Sequence, residues 1–405
     1  MPKIDTRTAN RLFKALDGFK IELPSWGFAD TGTRFGKFFQ DAAASTIDEK
    51  LHDAGLVHKL TGSCPNVAVH VLWDFTEGED PRMTRRLARK HGVRIGSINP
   101  NVFQDLHYKL GSFCSPDAKA RKAALDHTRD SIAIGSAVGS KVLTMWLADG
   151  TNYPGQDNLR RRKRDLQQAF RKIHQAMDKS WPGSMLLIEY KPFEPAFYHT
   201  DIADWGMSRA FCDHAGPRAK VLVDTGHHLQ GSNIEHIVSF LLDEGMLGGF
   251  HFNDRKYADD DLMLGSIDPY AAFRIFDQIA QFEFDTGRKP RIEYMIDQSH
   301  NLKPKLEAMV QTVDDAQRLF AKAQLVDRKK LATAQRRGDI NAAEQCLRSA
   351  YETDVRDALA QWRRKHKLPA DPVGALRDSG VIARLGRERA AGRRARGEVQ
   401  SASYA

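Results

Sequence analysis

Between residues 21 and 300 the chain alternates short apolar, often β-branched runs with longer stretches of helical spacing. That is the pattern of parallel βα units rather than of a sandwich. Eight runs can be read: Ile21 to Phe28, Val67 to Trp73, Val93 to Asn99, Lys141 to Asp149, Met185 to Lys191, Lys220 to His228, Gly248 to Asp254 and Arg291 to Asp297. Eight is the number that closes a (β/α)8 TIM barrel, so an α/β barrel is the expected fold. Residues 158 to 180 and 303 to 323 are long amphipathic helix candidates. Asn233 to Glu244 starts on a capping-type residue and stops at Gly245. A doubly wound sheet is the structural rival, but no G-x-G-x-x-G or phosphate-binding loop follows any run. Beyond Leu325 no strand pattern returns. Ile340 to His366 reads as a helix pair, and Pro369 to Pro372 breaks the chain before a last basic stretch. The expected division is a catalytic barrel over residues 1–325 and a helical, basic C-terminal arm over 326–405 that wraps the barrel or a neighbouring subunit.

The last four runs each end in ionisable groups: Glu189 and Lys191, Asp224 with His227, His251 with Asp254, Asp297 with His300. A barrel strand buries its middle, so charged residues at successive C-terminal ends converge on the face where such barrels do chemistry. Adding the run Asp259-Asp260-Asp261 gives a set of hard oxygen donors mixed with imidazole. It suits Mn²⁺, Mg²⁺, Co²⁺ or Zn²⁺ and argues against copper or iron–sulfur. Singly, each residue reads as a hydrogen-bonded strand end or a solvated turn. Together they would repel one another and be costly to desolvate without a cation. Asp224 and His227 leave the strand three residues apart and need not serve one ion, which suggests two divalent cations. Asp259 and Asp261 can close on one cation while Asp260 points away. Trp26, His70 with Trp73, Trp146 with Asp149, and Lys191 are placed to complete a pocket for a small polyol.

Charge and composition then remove alternatives. The chain carries 61 basic and 52 acidic residues, a net charge of +9. Residues 326–405 hold 18 of the basic and 10 of the acidic residues, so the barrel region is nearly neutral. That argues against nucleic acid as the partner; the Arg387 to Arg396 stretch reads as a solvated helix or a disordered end. No run approaches the roughly 18 to 20 apolar residues of a membrane span, and Met1 is followed by charged and polar residues, so a soluble protein is expected. Cys64, Cys114, Cys212 and Cys346 are scattered without a C-x-x-C pair, which fits a reducing cytoplasm.

One family resembles these motifs: the L-rhamnose isomerases, in their bacterial branch of broad sugar specificity, within the xylose isomerase-like barrels. The carrying segments are Pro24-Ser25-Trp26-Gly27 with Gly32-Thr33-Arg34-Phe35, Pro65-Asn66-Val67 through His70, and Gly139-Ser140-Lys141 through Trp146. To these are added Glu194 to Tyr198, Asp224 to His228, Gly248 to Asp254 with Lys256-Tyr257, Asp259 to Leu262, and Met295 to Asn301. The resemblance covers about residues 20 to 385. It implies that Glu189, Asp224, His251 and Asp297 hold a structural metal, and that His227, Asp259 and Asp261 hold a catalytic one, Mn²⁺ foremost. It implies further that His70, Trp146, Lys191 and Ser299 line the sugar and that Phe35 closes the pocket, in a homotetramer. Tyr190 stands where His is expected and Arg255 where Ser is expected; both flank ligands, so they bear on specificity rather than on the reaction.

The implied reaction is aldose–ketose isomerisation of L-rhamnose and L-rhamnulose, a step of rhamnose catabolism. Lys191, His227, Asp261 and Asp297 are its catalytic candidates, and both a hydride shift and an enediol route stay open. A ketose 3-epimerase on the same barrel is the nearest rival. A metal-dependent phosphodiester hydrolase would want more histidines and a basic rim. A non-enzymatic sugar-binding or scaffold protein would leave the two ligand sets unexplained.

Overall fold

The computed structural model describes residues 4–33, 36–194 and 198–398. Its centre is one eight-stranded parallel sheet, with β1 Leu23–Pro24, β2 Asn66–His70, β3 Arg94–Asn99, β4 Val142–Met145, β5 Met185–Glu189, β6 Ala219–Asp224, β7 Leu247–Phe252 and β8 Glu293–Ile296. Neighbours in the sheet are neighbours in sequence. The sheet closes on itself where Glu22 pairs in parallel with Met295, its N–H 2.8 Å from the Tyr294 carbonyl and its own carbonyl accepting from Ile296 at 2.9 Å. All eight apolar runs are therefore barrel strands. Their middles are sealed: Leu186, Leu187, Ile188, Val221, Leu222, Val223 and Phe250 have no exposed surface. Both faces of a barrel strand are covered, which is why the runs are uninterrupted rather than alternating.

Helices return the chain outside the barrel: α1 Ile47–Thr61, α2 Arg82–Lys90, α3 Ala118–Val138, α4 Leu159–Ser180, α5 Trp205–Ala215, α6 Ile234–Asp243, α7 Pro269–Thr286 and α8 Lys305–Ala323. Local chemistry fixes their ends. Thr46 and Glu49 form a reciprocal capping box on α1, and Asn158 and Asn233 accept from the first-turn amides of α4 and α6. An additional N-terminal helix, Thr6–Gly18, lies against α8.

After α8 come α9 Arg328–Arg337, α10 Ile340–Glu352, α11 Arg356–Lys365, α12 Pro372–Asp378 and α13 Val381–Ala395. Buried polar anchors dock them: Arg328 on Asp277 at 2.6 Å, Arg363 on Asp314 and Gln317, and Trp362 Nε1 on Asp17 at 2.8 Å. The last helix corrects the expectation of a solvated or disordered basic end. Arg389 and Arg393, four residues apart and so on one helical face, are buried. Arg389 forks onto both carboxylate oxygens of Asp53 at 2.7 and 2.8 Å, and Arg393 donates to the carbonyls of Ala43 and Asp41. The outward set, Arg384, Arg387, Arg394 and Arg396, is exposed. Among the described residues no helix is long and apolar enough to cross a membrane, and all four cysteines are free thiols.

Candidate metal centre

The barrel delivers its ligand candidates from four consecutive strands: Glu189 ends β5, Asp224 ends β6, His251 sits in β7 and Asp297 follows β8. Each offers one ligand atom, and these four atoms all lie within 4.8 Å of one another. His251 Nδ1 is 3.3 Å from Glu189 Oε2, 3.6 Å from Asp297 Oδ2 and 3.8 Å from Asp224 Oδ2. A second group of the same kind joins Asp224 to His227 and Asp259. His227 Nε2 lies 3.3 Å from Asp259 Oδ1, while its Nδ1 lies 3.1 Å from Glu189 Oε1. Asp224 is common to both groups, so two ions would be neighbours sharing a carboxylate.

Asp261 lies beside the second group. It is half-buried beside Asp259 and accepts from Ser299 Oγ at 2.5 Å. Its φ of +47° is one of two positive values among non-glycine residues described. Aspartate tolerates that left-handed backbone better than most residues, and it turns Asp261 inward next to Asp259. Asp260 instead accepts the backbone N–H groups of Lys256 and Tyr257 and tightens the loop.

The protonation pattern is that of a crowded anionic site. Burial alone would depress His227, but the carboxylates of Asp224 and Asp259 outweigh it and hold the imidazole well above its usual range. Against the same burial, Glu189, Asp297 and Asp224 lift His251 to about 9. Burial, reinforced by Glu189 and Asp259, pushes Asp224 up to about 7. Burial and the adjacent Asp259 and Asp297 raise Asp261 well above an ordinary carboxyl. Protons here occupy places that a divalent cation would take. The hydrogen-bond geometry agrees, for both buried ring nitrogens of His251 and the buried Asp259 Oδ1 have no directed hydrogen bond. Carboxylate oxygens and imidazoles left open toward a common point fit a hard or borderline divalent ion.

Other residues aim the ligands. Asn253 Nδ2 donates to both oxygens of Asp224 at 3.1 and 3.2 Å, and the Gly226 N–H donates to Oδ1 at 2.7 Å. Gly226 is required there, since a Cβ would stand 2.4 Å from Asn253 Oδ1. Lys191 Nζ contacts Asp259 Oδ2 at 2.6 Å and lies 5.3 Å above the Trp146 ring.

The ligands form one wall of a cavity of about 560 Å³, lined by Glu189, His227, His251, Asp259, Asp261 and Asp297, with Asp224 fully buried behind them. His70, Trp146, Lys191 and Ser299 line the same cavity. The opposite wall is a chain of ring contacts: Trp26 on His70 at 4.7 Å, His70 on Trp73 at 4.0 Å, and Phe103 on Trp146 at 5.0 Å. His70 is held neutral, its pKa brought down to about 3 by burial, and its Nδ1 and the Trp146 Nε1 are buried without partners. Phe35 lies outside the described residues. Asp149 does not reach the cavity; the chain turns away after Trp146, and its carboxylate is buried against Ser112 and Cys114. Asp254 is spent on the backbone N–H groups of Ile267 and Asp268, and His300 is not among the lining residues. Phe103, Asn99, Thr144 and Lys50 line the cavity without having been singled out; Asn99 ends the third apolar run, the one signal that could have found it.

Residues 68–304 match the family model described as the xylose isomerase-like TIM barrel. The chain belongs to that family. A probable sugar isomerase of Mesorhizobium japonicum is 39% identical over 381 residues, which cover 93% of this chain and 87% of that protein. The xylose isomerase of Thermus thermophilus is 25% identical over 261 residues, 60% of this chain and 66% of its own. Among solved structures, an L-ribulose 3-epimerase superposes with a TM-score of 0.53 at 13% identity, covering 80% of this chain and 98% of that one. A D-psicose 3-epimerase determined in the presence of D-fructose gives 0.52 at 14%, covering 76% and 100%. At such identities these two speak for the barrel alone. For this xylose isomerase-like barrel, a sugar isomerase with a small-molecule sugar substrate is the activity class supported; L-rhamnose is not distinguished by any of these likenesses.

Proposed function

We propose that this xylose isomerase-like barrel is an aldose–ketose isomerase using two divalent cations, Mn²⁺ foremost, and interconverting L-rhamnose with L-rhamnulose and related sugars. The observation that carries the reading is the pair of ligand groups joined through Asp224 on one wall of the cavity, facing an aromatic wall. Divalent cations there would supply Lewis acidity toward a carbonyl and its adjacent hydroxyl. The chain's own residues do the rest. The Lys191 ammonium, fixed between Asp259 and Trp146, is placed to bind a sugar oxygen carrying partial negative charge. Neutral His70 and the Trp146 indole offer unpartnered polar atoms to hydroxyl groups, while the rings pack on C–H faces. Asp297 and Asp261 are the carboxyls positioned to hold a proton beside the substrate.

A ketose 3-epimerase is the second reading: it needs two carboxylates placed either side of C3, and Glu189 and Asp297 are two carboxylates of one ligand group, each beside His251. The second group, with His227 and Asp259, favours isomerisation. Incubation of the Mn²⁺-loaded protein with L-rhamnose, L-mannose, L-lyxose and D-allose, and separately with free ketoses, followed by chromatography, separates the two. Ketoses formed from the first three sugars are expected. No conversion of those aldoses, with C3 epimers formed from ketoses, would replace the isomerase with the epimerase.

A further inference from the structure

Asp74 lies one turn beyond β2, in the short helix Val71–Asp74, and its side chain has no exposed surface. Three donors satisfy it: Lys50 Nζ from α1 at 2.7 Å, Ser25 Oγ at 2.5 Å and the His70 backbone N–H at 2.9 Å. Lys50 is itself buried. This ion pair therefore joins α1, the exit of β2 and the 3₁₀ turn Ser25–Phe28 that follows β1. A buried ion pair stabilises weakly because desolvation offsets most of the attraction; its more secure effect is to define geometry. What it defines here is the turn carrying Trp26. That ring rests against His70 at 4.7 Å, and its Nε1 donates to Asp297 Oδ1 at 2.8 Å.

We propose that Trp26 is a positioning residue for Asp297, set in place by the Ser25–Asp74–Lys50 clamp. The indole N–H occupies Oδ1, which leaves Oδ2, the oxygen 3.6 Å from His251, directed at the first ligand group. A hydrogen bond of this kind fixes the orientation of a ligating carboxylate, and packing of the ring alone would not require it. Of the four ligands in that group, Asp297 comes from the end of the last strand, across the seam from β1, so the clamp also ties that seam to the site.

The inference rests on the metal reading above, and titration of Mn²⁺ into the metal-free full-length chain by calorimetry keeps the two apart. Trp26→Phe retains the ring and removes the donor. It is expected to weaken Mn²⁺ binding by about 10- to 100-fold, with the melting temperature of the metal-free protein nearly unchanged. With Co²⁺ in place of Mn²⁺, the visible absorption of the bound ion is expected to shift in the variant. Ser25→Ala, which loosens the clamp without removing a charge, is expected to move both readouts in the same direction by less, and carries the test if Trp26→Phe does not fold. Mn²⁺ affinity and cobalt spectrum equal to wild type in either folded variant would overturn the positioning role, whatever happens to melting. Failure of the wild-type chain to bind Mn²⁺ at all would overturn the metal reading and this inference with it.

Discussion

At the scale of single residues, the two carboxylates Asp224 and Asp261 stand in contrasting environments. Asp224 is fully buried, belongs to both ligand groups and accepts from Asn253 and the Gly226 and His227 amides, so its charge is built into the barrel rim. Asp261 is a loop residue with one hydroxyl donor, Ser299, and a positive φ. Asp261→Asn is therefore expected to lower kcat by at least roughly 100-fold while leaving the melting temperature close to wild type. Asp224→Asn replaces an acceptor oxygen with an N–H facing other donors, and is expected to lose stability and sugar binding together. Steady-state kinetics and thermal melting of both variants check the contrast; indistinguishable behaviour would mean the two groups act as one. The strand-borne ligand candidates were legible because each stands near the end of an apolar run, and Asp259 and Asp261 because they form an acidic run in the loop after the seventh. Their supports were not: Asn253 to Asp224 and Lys50 to Asp74 are pairings between neighbouring βα segments, and Trp26 to Asp297 spans the closing seam, and none of them shows as a local pattern.

Among elements, the helix α13 shows where charge patterning misleads. A basic stretch of Arg and Ala scans as solvated, yet one face of it is buried. Arg389 forms a bidentate pair with Asp53 on α1, a residue with 1% exposure. Removing one partner of such a pair leaves a buried charge unmatched, at a cost of about 3–5 kcal/mol. Arg389→Ala is thus expected to shift the urea midpoint strongly, whereas Arg394→Ala, on the exposed face, is expected to change the unfolding free energy by less than about 0.5 kcal/mol and the midpoint little. Equal small effects would mean the helix is not held by this pair. The partner lies 336 positions away, so no window of sequence reveals it. The strands were legible for the opposite reason. A parallel barrel strand is covered on both faces, and its uninterrupted apolar run is a local signal. All runs but the third overshoot their strands at the C-terminal end: the fourth, read to Asp149, stops as a strand at Met145, and after Trp146 the chain turns away from the cavity.

For the whole molecule, the ligand groups fall on the last four strands, β5 to β8, the half of the barrel that meets β1 at the closing seam. Without a cation, Glu189, Asp224 and Asp297 converge there with protonated imidazoles and a few neutral donors to offset their repulsion, and burial raises Asp224 and Asp297 toward the neutral form. A divalent ion would relieve that repulsion only in the folded state, since the four ligands are far apart in the unfolded chain. Binding to the native state alone stabilises by RT ln(1 + [L]/Kd), about 2.7 kcal/mol at a hundredfold excess over Kd. Chelator-treated protein is therefore expected to melt at a lower temperature than protein with Mn²⁺. The rise should saturate at a concentration that agrees with the calorimetric Kd. Lowering the pH should shrink it, because binding must displace protons from these carboxyls and imidazoles. Differential scanning fluorimetry across Mn²⁺ concentrations at pH 5 and pH 8 makes the measurement. A melting temperature indifferent to Mn²⁺ at both pH values would mean that the convergent carboxylates are stable by protonation alone and hold no resident ion.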